Sequence, residues 1–66
     1  MAFSDHETEQ IRRALIAEAR RCAVTLGMRK TAVDQLTQAV GIAKGSFYKF
    51  YASKELLFFA VLEDIH

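Results

Sequence analysis

Along the first third of the chain, apolar residues recur as Ile11, Leu15, Ala19, Cys22 and Leu26, at spacings of four, four, three and four. That rhythm places them on one face of a helix. Upstream, Ser4-Asp5-His6-Glu7 has the pattern of a capping box, in which serine and glutamate each satisfy the other's free backbone donor. Gly27 supplies a left-handed stop, so a first helix is predicted over residues 5–26. Thr31-Ala32-Val33-Asp34 is a second start of capping-box type. The narrow stripe Val33, Leu36 and Val40 follows it and ends at Gly41, predicting a helix over 32–40. Ile42 is then an anchor for a third, shorter helix over 43–50 with Phe47 and Phe50 turned inward. Ser53 caps a fourth helix over 54–65, and Glu55 in its first turn suits the helix dipole. No alternating strand pattern occurs, and the chain has no proline and only three glycines. The expected fold is all-α: a three-helix bundle with the start of a fourth, linking helix.

The fourth helix is unusually apolar. Leu56, Leu57, Phe58, Phe59, Val61, Leu62 and Ile65 cover most of its circumference, and a helix apolar nearly all round expects neighbours on several sides. This pattern predicts that the chain is a fragment of a longer protein, or that part of the helix meets a partner. One function that would use it is a small helical protein-interaction module docking through the fourth helix.

Composition narrows the class further. A length of 66 residues is one domain, near the lower limit for folding without staples, and the 52% hydrophobic content is enough for a modest core. The single cysteine, Cys22, has no partner for an internal disulfide and lies on the inward stripe of the first helix as a small hydrophobe. No apolar run approaches membrane-spanning length, and the first ten residues lack the basic and apolar regions of a signal peptide. A reducing, cytoplasmic setting is expected, with no membrane partner. His6 beside Asp5 and Glu9 is a lone histidine among flexible acids, and zinc-finger spacing is absent, so no metal or other cofactor is expected. No combination of serine or cysteine with histidine and an acid assembles under helical packing, so the chain is not read as an enzyme.

The net charge of +1 conceals a segregation. Residues 1–26 balance; residues 27–54 carry Arg29, Lys30, Lys44, Lys49 and Lys54 against Asp34 alone; residues 55–66 carry only acids. The positive middle contains GIAKGSFYKFYASKE, residues 41–55, which interleaves three lysines with four aromatics. Two short helices joined at Val40-Gly41-Ile42 match the helix-turn-helix unit, whose second helix enters the DNA major groove. Lys44, Gly45, Ser46, Tyr48 and Lys49 are then the outward residues. Lysines answer phosphates, and Gly45 lets the backbone come close to the duplex.

The chain resembles the tetracycline-repressor (TetR-like) family of bacterial transcriptional regulators at Gly27, Thr31-Ala32-Val33, Leu36, Gly41-Ile42, Lys44-Gly45-Ser46-Phe47-Tyr48, Phe50-Tyr51 and Ser53-Lys54-Glu55-Leu56-Leu57. The resemblance covers about residues 10–64. It implies a homeodomain-like helix-turn-helix domain whose recognition helix is 43–50. By this resemblance Lys44, Gly45, Ser46 and Lys49 address base edges, while Thr31, Tyr48 and Lys54 hold phosphates. It also implies a homodimer, a palindromic operator, and a C-terminal domain, absent from this chain, whose small-molecule effector releases DNA, usually from a repressor.

The chain departs from the family pattern in four places. Ala43 stands where a serine or threonine often caps the recognition helix, and Ala32 where a second hydroxyl is common. Ala23 is smaller than the large aromatic expected there. Asp34 stands where a basic residue is frequent, and it is read as completing the cap begun by Thr31. The other reading, a carboxylate at the DNA accepting from a cytosine amino group, stays open. Arg12-Arg13 and Arg20-Arg21 are solvated faces of the first helix, with Arg12 or Arg13 the nearer to a phosphate.

Overall fold

The computed structural model describes residues 3–64, which form four α-helices and no strand: α1 (Asp5–Thr25), α2 (Val33–Val40), α3 (Lys44–Phe50) and α4 (Lys54–Asp64). The N-terminus of α1 is set by a complete capping box: the Glu7 amide donates to Ser4 Oγ at 3.1 Å, and the Ser4 amide donates to Glu7 Oε1 at 3.0 Å. At the other end the amides of Leu26 and Gly27 both donate to the Cys22 carbonyl, each at 2.8 Å. Gly27 then turns the chain at φ +84°, and a single 3-10 turn, Met28–Lys30, leads into α2. Helix α1 stops at Thr25, one residue short of the expected end, and Leu26 is left as its C-cap. The expected end of α4 at residue 65 lies outside the described residues.

The core is where the stripes meet. Leu15, Ala19 and Cys22 of α1 pack with Leu36 of α2, Phe47 of α3, and Leu57, Phe58 and Val61 of α4, all 5% exposed or less. Helix α1 is the spine, touching both α2 and α4, while α3 leans on α2. Leu26 does not join its stripe: it is 44% exposed, because the chain has already left the helix there. Phe50 is only half-buried at the rim, 6.2 Å from the Phe3 ring.

Helix α2 starts differently from the expected cap. Its N-cap is Ala32, which has no side-chain acceptor, so only half a box forms: Gln35 Oε1 accepts from the Ala32 amide at 2.8 Å. Thr31 is 1% exposed, and its hydroxyl donates to the Gly27 carbonyl at 2.9 Å. It therefore ties the turn shut instead of capping α2. Asp34 does not complete a cap either; its carboxylate points across to α3. Helix α4 begins as expected, with the Leu56 amide donating to Ser53 Oγ at 3.3 Å.

Candidate nucleic-acid interface

Helix α3 owes its orientation to the joint before it. Gly41 caps α2 in the left-handed region, at φ +88° and ψ 32°. The amides of Gly41 and Ile42 converge on the Thr37 carbonyl at 2.8 and 3.0 Å. The Thr37 hydroxyl itself is buried and donates to the Asp34 carbonyl at 3.1 Å, so both ends of α2 are tied internally. Seven residues are too few for a helix to persist unaided; α3 holds because Phe47 is fully buried under it. The Tyr48 ring meets Phe47 edge-on at 5.3 Å, and Tyr51 lies 6.3 Å from Phe47 on another side.

With Phe47 inward, Lys44, Gly45, Tyr48 and Lys49 are exposed, Ser46 is half-buried, and Phe50 sits at the rim. Tyr48 keeps half its surface in solvent although its ring edge rests on the core. An α-helix with its side chains is about 10–12 Å across, which matches the roughly 12 Å width of a major groove. A Cβ placed on Gly45 would meet no atom within 4 Å. The glycine is thus not required by packing within the protein.

The residues expected at phosphates divide. Tyr48 is open. Lys54, at the first position of α4, is half-buried, and its Nζ donates to the Thr31 carbonyl at 2.9 Å and, more weakly, to the Arg29 carbonyl at 3.4 Å. An ammonium has three donors, so one remains for an anion. Thr31 is the correction: its buried hydroxyl is already committed to Gly27, and what it offers the interface is a carbonyl for Lys54. Arg29 and Lys30, which no spacing rule singled out, stand exposed on the 3-10 turn beside this lysine. Their only signal in the sequence is the excess charge of the middle segment.

Two further ionic features frame the site. Lys44 Nζ lies 3.4 Å from Asp34 Oδ1 across the helix-turn-helix joint. On α1, Arg12 and Arg13 both engage Glu9, at 2.7 and 2.8 Å. Hydrogen bonds from Arg12 and then Arg13 hold the Glu9 carboxyl below the ordinary glutamate range. Both arginines stay exposed while paired with Glu9. Arg21 similarly pairs with Glu18, which also lies 3.7 Å from the buried thiol of Cys22. Among the described residues no cluster of metal-ligating side chains occurs, and no helix is long and apolar enough to cross a membrane.

Two helices locked by a glycine joint, the second presenting lysines outward over a buried phenylalanine, define a helix-turn-helix DNA-binding domain. The profile of the bacterial regulatory proteins of the tetR family matches residues 15–61, and the chain belongs to that family. An HTH-type transcriptional repressor of Mycobacterium tuberculosis is 36% identical over 53 residues. That match takes in 80% of this chain but 28% of the repressor, so the chain spans little more than a quarter of that relative's length. No solved structure matches the chain at comparable stringency.

Proposed function

We propose that this domain reads operator DNA for a ligand-responsive transcriptional repressor acting in the cytoplasm. Helix α3 lies in the major groove, with Lys44, Gly45, Ser46 and Lys49 toward base edges and Tyr48 and Lys54 toward phosphates. The observation that carries this reading is the two-sidedness of α3: Phe47 is fully buried while Lys44, Gly45, Tyr48 and Lys49 are exposed together. Phosphate contacts fix register and base contacts specify sequence. Repression is supported by the name of the M. tuberculosis relative. Family membership supports a homodimer on a palindromic operator and an effector bound by a further domain.

A duplex titration across salt tests the reading. Binding to random-sequence duplex should weaken linearly in log-log form as salt rises from about 50 to 200 mM. Lys54→Ala should lower affinity for every sequence alike and reduce the salt slope by about 1. Salt-independent binding, or a Lys54→Ala loss confined to one operator, would contradict the assignment.

A further inference from the structure

We infer that Asp34 is a specificity-determining residue: paired with Lys44, it presents a donor and an acceptor side by side that select a G·C base pair, with lysine on guanine and aspartate on cytosine. This rests on the proposed DNA-reading role of α3. The pair bridges the first turn of α2 and the first residue of α3, with Nζ and Oδ1 3.4 Å apart and the two side chains 56% and 65% exposed. Exposed as it is, the contact does little for the fold. Its position matters more, because it places the single acid of the positive segment beside the first residue of the reading helix.

Lys44 answers only one side of the Asp34 carboxylate; in the groove phosphates repel its remaining lone pairs, which therefore favour a donor on a base edge. The donors there are the amino groups of cytosine and adenine. Adenine's amino group lies between two acceptors, its own N7 and thymine O4, so a carboxylate would meet unfavourable oxygen or nitrogen on both sides. Cytosine's amino group has acceptors only on the guanine side, where Lys44 takes them through O6 and N7. Ammonium and carboxylate at this spacing therefore fit G·C and disfavour A·T. The same carboxylate repels the backbone of unrelated DNA, so Asp34 gives up general affinity and gains discrimination.

The test is selection of binding sequences from a randomised duplex pool by the chain and by its Asp34→Ala and Asp34→Asn variants, alongside titration of random duplex. Far-UV circular dichroism confirms that each variant folds. The wild type should enrich a G·C pair at one position in the site. Asp34→Ala should flatten that preference by roughly tenfold or more while raising affinity for random duplex. Asp34→Asn should move the preference toward A·T, because a carboxamide both donates to and accepts from adenine. If wild type and both variants enrich the same sequences, Asp34 reads nothing and the inference fails while the DNA-reading role stands. If the wild type shows no salt-dependent duplex binding at all, the role itself fails.

Discussion

Gly45 is where the demands of folding and of recognition separate. It is exposed in the first turn of α3, in ordinary helical backbone, with open space where a side chain would go. Glycine costs a helix up to about 1 kcal/mol relative to alanine, less near the end of the helix than in its middle. Gly45→Ala should therefore leave the melting temperature unchanged or raise it by a few degrees, as scanning calorimetry would show. In the proposed docking the same methyl would stand between backbone and base edges, so operator affinity should fall by about tenfold. A variant equally stable and equally tight would mean that the backbone does not approach the duplex at 45. What the sequence allowed at this scale followed short-range rules. The Ser4–Glu7 box and the Ser53 cap involve partners three residues apart, and both formed. Thr31 and Asp34 depart from the expected cap for different reasons: the Thr31 hydroxyl turns back four residues to the Gly27 carbonyl, a local alternative that the cap pattern does not distinguish, while the Asp34 carboxylate goes to Lys44 on the next helix, a partner set by tertiary placement.

Among the elements, α1 and α3 take opposite routes to stability. Helix α1 is long, fully capped and laced with ion pairs to its own arginines; α3 is short, starts at the uncapped Ala43, and depends on Phe47. The α1 cap has a pH signature. Hydrogen bonds from Ser4, first its backbone amide and then its hydroxyl, hold the Glu7 carboxyl below its ordinary value. A carboxylate with a lowered folded-state pKa contributes stability above its unfolded pKa and loses it as pH falls through the folded one. The first turn of α1 should therefore fray in acid, below the usual glutamate range, before the core yields. Amide chemical shifts of Ser4 and Glu7 followed against pH would show it, and Glu7→Gln should shift that transition or remove it. The segment between these helices was the least legible in the sequence. Lys54 reaches carbonyls 23 and 25 residues earlier, and no pattern in the chain encodes a contact at that separation.

The whole molecule has a basic flank and an apolar one. Val24 at 83% and Leu62 at 65% are exposed on a groove of about 270 Å³ lined also by Ala23, Met28, Phe58 and Val61, and Phe59 at 62% lines an adjoining groove of about 250 Å³ with Met28, Phe58 and Leu62. The breadth of apolar residues on α4 was plain in the sequence. Which of them would be buried was not, because only packing against α1 decides that Leu57, Phe58 and Val61 go in while Leu56, Phe59 and Leu62 stay out. Exposed patches of this kind favour association. Phe59→Glu together with Leu62→Lys should keep the helical spectrum and melting temperature nearly unchanged, while sedimentation velocity at high concentration shows less self-association. A loss of fold in that variant would mean these side chains support the core after all. The joint at Gly41 has a different lesson. An added methyl there would touch nothing, yet φ is +88°. The position discriminates by chirality and not by volume, so the angle between α2 and α3, and with it the pose of every lysine on the reading helix, is held by one achiral residue.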